Sequence, residues 1–147
     1  MGKWKRQSHV IYQCTYHIVW CPKYRYRILS GEVGEFVERA IRMMCEWRGA
    51  EVLELTVVAD YVHLVVDIPP RESIGDFMGL LKGKTAIKLF KSYRGLRKKP
   101  YWGNHFWSRG YCVSTVGVDE EQIRKYVRYQ EGREKEEEQE QQQCGLF

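Results

Sequence analysis

Residues 51–70 read EVLELTVVADYVHLVVDIPP. Two apolar runs rich in β-branched residues, 51–58 and 61–68, are separated by Ala59 and Asp60 alone. A two-residue connection between strand-like runs predicts a tight antiparallel hairpin. Pro69 and Pro70 end the second run, because proline has no N–H for a ladder. Inside that run Tyr61 and His63 stand two positions apart, so a strand points both to one face. Taken by themselves they allow two readings: half-buried, hydrogen-bonded strand residues, or half of a cation site with Asp60 beside them.

Working outward, HVIYQCTYHIVW (9–20) alternates loosely and predicts a strand, with CPKYRYR as its basic exit. Residues 32–48 place Val33, Phe36, Val37, Ala40, Ile41, Met44 and Trp47 at helical spacing, and Gly49 stops that helix. Residues 73–91 predict a second helix with Ser73 as N-cap. Its Gly75, Gly79 and Gly83 share a face. Each costs about 1 kcal/mol relative to alanine, so the helix is either soft or closely approached there. A long basic, aromatic loop spans 92–110, YCVSTVG (111–117) predicts another strand, and Asp119 opens a last helix. The order β-α-β-β-α-β-α is that of a ferredoxin-like α+β sandwich, an antiparallel sheet with an added C-terminal helix. That fold carries many activities and does not decide function.

At 147 residues the chain fits one folded unit, residues 1–130, followed by an acidic, Gln-rich tail, 131–147, that frays or extends into solvent. Nothing approaches the roughly 20 apolar residues of a membrane span. The charged start, MGKWKRQSHV, lacks the apolar segment of a secretion signal. Five cysteines, an odd number without CxxC spacing, point to a reducing, cytoplasmic setting rather than a disulfide framework or structural zinc. The net charge is +5, but the tail carries six Glu against Arg133 and Lys135, a net of −4, which leaves +9 on residues 1–130. A body so basic suits a polyanion such as nucleic acid.

Two further constellations carry chemistry. In IRKYVRYQ, Tyr126 and Gln130 lie four apart on one helix face, about 6 Å along the axis. A tyrosine hydroxyl attacks a phosphodiester when a neighbouring cation assists, and a Gln carbonyl is a suitable ligand for one. An ordinary polar pair on an amphipathic helix fits as well. In the loop, Arg94, Arg97, Lys98, Lys99 and Arg109 alternate with Tyr101, Trp102, Phe106 and Trp107. Cations for phosphates beside flat rings for unstacked bases suit single-stranded nucleic acid, and Lys23, Arg25 and Arg27 add a second basic strip.

YHIVWCPKYR, VVADYVHLVVDIPP, LLKGKTAIKLF, YWGNHFWSRGYCVSTVG and IRKYVRYQ follow one another in this order across residues 9–130. Together they resemble the single-tyrosine transposases of the insertion-sequence-200/605 type, in the His-hydrophobic-His nuclease superfamily. The resemblance implies a homodimer with composite active sites that cuts and rejoins single-stranded DNA at hairpin-flanked transposon ends. Tyr126 would be the nucleophile, forming a 5′-phosphotyrosine. His63 and Gln130 would hold Mg²⁺ or Mn²⁺. The DNA-binding surface would draw on Lys23, Arg25, Arg27, Arg94, Arg97, Lys98, Lys99, Trp102, Trp107 and Arg109. One position departs from the pattern. Where the family has Asp-His-hydrophobic-His, this chain has Asp60, Tyr61, Val62 and His63. Either Tyr61 ligates as phenolate, or Asp60 substitutes for it. Failing both, the chain is a catalytically impaired relative that binds hairpin DNA or RNA.

Overall fold

The computed structural model of the chain describes residues 3–98 and 105–143. Its centre is an antiparallel sheet of four strands: β3 (Thr15–Trp20), β4 (Glu51–Val58), β5 (Tyr61–Asp67) and β6 (Cys112–Ser114), in the order β4-β5-β3-β6. Two helices, α1 (Gly31–Trp47) and α2 (Ile74–Ser92), cross between strands, and α3 (Glu120–Gln143) follows the last one. This is the ferredoxin-like order with the expected additional helix. No helix among the described residues is long and apolar enough to cross a membrane.

The hairpin of residues 51–67 forms as the sequence predicts, with Val58 paired to Tyr61 across the Ala59–Asp60 turn. Its strands split their side chains between two faces. Val62, Leu64 and Val66 join Ile18 and Trp20 of β3 in the main core, under Val37, Ile41 and Met44 of α1 and Phe77, Met78 and Leu81 of α2. Tyr61, His63 and Val65 fall on the opposite face. There a second, smaller cluster forms from Val19 and Cys21 beneath Ile123 and Val127 of α3. The sheet is thus covered by two helices on one side and by a single helix on the other.

Local chemistry explains the boundaries. Gly49, at φ +70°, ends α1, where the Ala50 N–H donates to the Cys45 carbonyl and the Gly49 N–H to Glu46. That pair of bonds needs a left-handed residue at the position after the cap. Ser73 caps α2 by accepting from the Asp76 N–H at 3.1 Å. At α3, Asp119 and Gln122 each accept the other's backbone N–H in a reciprocal cap.

The structure corrects three expectations. The run 9–20 is not one strand: β1 (Lys5–Gln7) and β2 (Val10–Tyr12) make a separate hairpin, and β3 starts at Thr15. The break is held by Asp67, fully buried, whose carboxylate accepts the Cys14 N–H and faces the Lys5 ammonium. The last strand is shorter than 111–117, because Ser114 Oγ accepts from the Val116 N–H and turns the chain. Trp47 is not in the core but 69% exposed, with the Lys88 ammonium over its ring. Gly75, Gly79 and Gly83 face open space, so nothing among the described residues uses a close approach there.

Leu64 is fully buried between β5 and the helices, whereas Val116 is 94% exposed. Urea unfolding is expected to show Leu64→Ala destabilised by about 2–5 kcal/mol and Val116→Ala changed by less than about 0.5 kcal/mol.

Candidate active site

The face of the sheet beneath α3 gathers most of the chemistry-bearing residues. On α3, Tyr126 and Gln130 meet as their spacing predicts: Gln130 Nε2 donates to the Tyr126 hydroxyl at 2.7 Å. The same nitrogen donates to the Arg109 carbonyl at 2.6 Å. Among the described residues nothing is seen to donate to the amide's oxygen. Tyr126 is half-buried beside Cys21 and Cys112. Burial lifts its hydroxyl well above the ordinary phenol range, and the Gln130 contact opposes this only in part. Tyr129, rotated off this face, is 59% exposed.

Arg109 belongs to a segment that the sequence marks as a loop but that the structure binds firmly. The Lys82 ammonium donates to the Ser108 and Gly110 carbonyls, both at 2.8 Å. The Ser108 N–H donates to the Cys21 carbonyl, and its hydroxyl bonds the Glu134 carboxylate and the Pro22 carbonyl. Glu134 also accepts the Tyr24 N–H. Gly110 takes φ +91°, and a Cβ there would press on Gln130 Nε2 at 3.4 Å. Lys82 therefore sets the backbone that orients Gln130, a role no spacing rule reveals. Helix α3 runs without a break past Gln130 into the acidic segment, and Glu134 ties it down there.

On β5, Tyr61 and His63 do share a face, but they meet different neighbours. Tyr61 borders a cavity of about 160 Å³ together with Arg25, Arg27, Asp60, Arg124 and Arg128. Burial, with Glu120 and Asp60 adding to it, raises the Tyr61 hydroxyl above its ordinary value, so the phenol is neutral. The Asp60 carboxylate is held by Arg25 Nε at 2.9 Å, and Arg25 also reaches Glu131. Two expectations change as a result. Asp60 is committed to a guanidinium rather than to a cation beside His63, and Arg25 is neutralised by two carboxylates rather than free for phosphate.

His63 instead meets a residue that sequence reasoning passed over. His17 of β3 lies 5.7 Å from it, ring centre to ring centre, at 33° between planes. His63 Nε2 and His17 Nδ1 are both buried without a hydrogen-bond partner. Burial first, and then the neighbouring His17, lowers the His63 pKa, which favours the neutral imidazole. The parity of Thr15, His17, Val19 and Cys21 along the strand was the only sequence signal. The pairing that joins it to His63 belongs to the register of β3 on β5. Among the described residues no hydrogen bond or ring contact joins Tyr126 or Gln130 to either histidine.

The expected nucleic-acid residues divide. Arg27, Arg94 and Arg109 are exposed, and Lys23 and Arg109 border an open cleft of about 780 Å³ beside Glu134, Glu137 and Glu140. Trp107 is a correction. It is 6% exposed, packs edge-on against Trp20 and Phe106, and donates from its indole to Thr85 Oγ1 at 2.9 Å, so it offers no face to a base. Phe106 is likewise buried. Lys99 and Trp102 lie outside the described residues, as do the side chains of Arg97 and Lys98.

The family described as "Transposase IS200 like" matches residues 10–130, from β2 through Gln130. The chain belongs to the IS200-like transposase family. It is 40% identical over 130 residues to the transposase for insertion sequence element IS200 of Salmonella typhimurium, covering 88% of this chain and 85% of that protein. It is 37% identical to the ISDra2 transposase TnpA of Deinococcus radiodurans, over 88% of this chain and 93% of that one. A crystal structure from Deinococcus radiodurans R1, assigned as a transposase, superposes with a TM-score of 0.76 at 34% identity, over 86% of this chain and 97% of the other. The REP-associated tyrosine transposase bound to a REP hairpin shares the fold at a TM-score of 0.51 and 16% identity, over 86% of this chain and 68% of the other. The segment matched to the family thus contains Tyr61, His63, Tyr126 and Gln130 together.

Burial lowers the Lys82 pKa from 10.5 to about 8. Between those values the unfolded chain binds more protons than the folded one, so stability rises with pH across that window. Relative to Lys82→Met, the wild type is expected to gain roughly 1–3 kcal/mol between pH 8 and 10.5. Denaturant unfolding across that range checks this, and parallel curves for the two proteins would contradict it.

Proposed function

We propose that this transposase cleaves and rejoins single-stranded DNA at transposon ends, with Tyr126 as nucleophile. The observation that carries the reading is the Tyr126–Gln130 contact at 2.7 Å on α3, inside the segment matched to the family. The phenol oxygen bonds to the scissile phosphorus as the P–O3′ bond breaks. A 5′-phosphotyrosine and a free 3′-OH result, and the phenol proton leaves to solvent or to the departing oxygen. Attack by a 3′-OH on the same phosphorus later restores Tyr126. A bound Mg²⁺ or Mn²⁺ would polarise the scissile phosphate and offset charge as the phenol gives up its proton.

The residues present fit such an ion in part. His63 offers a buried nitrogen without a partner, and Gln130 an unused carbonyl oxygen. Neutral Tyr61 among guanidinium groups and Asp60 paired to Arg25 do not fit. Among the described residues no hydrogen bond joins Gln130 or Tyr126 to His63; a second subunit supplying α3 would complete the site, and the proposed assembly is a homodimer. The DNA would track Lys23, Arg27, Arg94 and Arg109, its hairpin stem meeting this basic surface.

Incubating the full chain with an end-containing single strand and Mn²⁺ is expected to give a covalent DNA adduct. Tyr126→Phe should lose it and Tyr129→Phe should keep it. No adduct under any divalent ion would end the catalytic reading. The second reading, a hairpin-binding relative with impaired cleavage, is favoured by the Arg25–Asp60 pair and by Tyr61. It expects chelator-insensitive binding and a Tyr61→His variant that cleaves far better than wild type. With about six phosphate contacts on a hairpin stem, log affinity should fall against log salt with a slope near −5. A slope close to zero would remove the basic strip from the interface.

A further inference from the structure

We propose that the divalent cation of this chain sits between His63 of β5 and His17 of β3, and that His17 takes the part that position 61 has lost. The proposal rests on the metal-assisted reading above, although its test does not.

Register puts the two imidazoles together. Val19 pairs with His63 and His17 with Val65, so the histidines are diagonal neighbours on one face of adjacent strands. An ion about 2.1 Å from an imidazole nitrogen lies about 3.2 Å from the ring centre, so two rings on one ion at ligand angles of 90–125° stand about 4.5–5.7 Å apart. The observed separation is 5.7 Å. The separation thus falls at the upper end of the range for a shared ion.

The unmet valences point the same way. Five buried side-chain nitrogen or oxygen atoms lack a hydrogen bond among the described residues. Two of them, on Arg48 and Asp67, have ion pairs instead. Of the remaining three, one is the Trp20 indole in the main core, and the other two are His63 Nε2 and His17 Nδ1. A buried nitrogen left unsatisfied is costly unless something fills it. Two such atoms on touching rings share one solution, a cation that accepts lone pairs from both.

Tyr61 does not compete, because it turns into the arginine-lined cavity and Asp60 is already paired. Among the described residues no cluster of three His, Cys, Asp or Glu side chains is assembled. The seat thus supplies two nitrogens, and a substrate phosphate, water and an incoming amide oxygen would fill the remaining positions of a metal acting on substrate. Replacing an all-oxygen or mixed shell by two imidazoles also selects the ion. Mn²⁺, Co²⁺ and Ni²⁺ are favoured over Mg²⁺, whose preference is for oxygen.

Titration of the tag-free full chain with Co²⁺, followed by calorimetry and by the cobalt visible bands, tests this without DNA or turnover. Wild type is expected to bind one Co²⁺ per chain, and Mg²⁺ much more weakly. His17→Ala and His63→Ala should each weaken Co²⁺ at least about tenfold, while Tyr61→Phe, His9→Ala and His105→Ala should change it less than about twofold. His17→Gln, which retains a polar side chain, is the second variant, and circular dichroism with thermal unfolding identifies any variant that has not folded. Co²⁺ affinity unchanged in folded His17→Ala or His17→Gln would overturn the proposal. So would loss of binding in Tyr61→Phe, or no stoichiometric binding by wild type below millimolar Co²⁺. These outcomes are independent of the covalent adduct, so failure here leaves Tyr126 as nucleophile untouched, and failure of the adduct leaves the imidazole pair standing.

Discussion

The arrangement on the open face depends on one half-buried ammonium. Lys82 reaches out of α2 and holds the Ser108 and Gly110 carbonyls. A charge taken out of water has to be met by several acceptors in fixed positions, so this contact specifies the backbone of 108–110 more tightly than apolar packing would. The carbonyl between them, on Arg109, then receives Gln130, and the hydroxyl of Ser108 receives Glu134. One side chain of the second crossover helix thus determines where the last helix rests on the far side of the sheet.

That docking divides the candidate site residues into two sets. Tyr126 and Gln130 lie toward Cys21, Cys112 and the 108–110 segment, while His63 and His17 lie between β3 and β5. Each set is built within one chain, and no hydrogen bond or ring contact among the described residues joins the two. Helix α3 is held on its sheet by Ile123 and Val127, with Tyr126 packed beside them, and by polar ties that include the Glu134 contacts.

Tyr61 and Asp60 are each accounted for by the arginines around them. Placed among Arg25, Arg27, Arg124 and Arg128, Tyr61 keeps its proton, and Asp60 answers the guanidinium of Arg25 instead of a metal. The basic strip around Arg25 reads in the sequence as uniformly available for phosphate. Folding spends part of it on internal pairs with Asp60 and Glu131 and leaves Arg27 outside. Trp107 follows the same logic from the apolar side. An indole in a basic loop suggests stacking on bases, but Thr85 offers it an acceptor inside the core.

What the linear chain determined is what local periodicity and turn chemistry control. The 51–67 hairpin, the two amphipathic crossover helices, their caps at Ser73 and Gly49, and the Tyr126–Gln130 face of α3 all depend on spacings of two to eight residues, and all formed as those spacings require. The family itself was legible for the same reason, since its motifs are short and ordered along the chain. Contacts between distant segments were not legible, because nothing local records which strand residue will face which. His17 meeting His63 is a matter of register between β3 and β5, and Lys82 meeting residues 108–110 depends on how a helix packs over a sheet. Only the packed structure, where buried polar atoms must each find a partner or be left wanting one, decided those two.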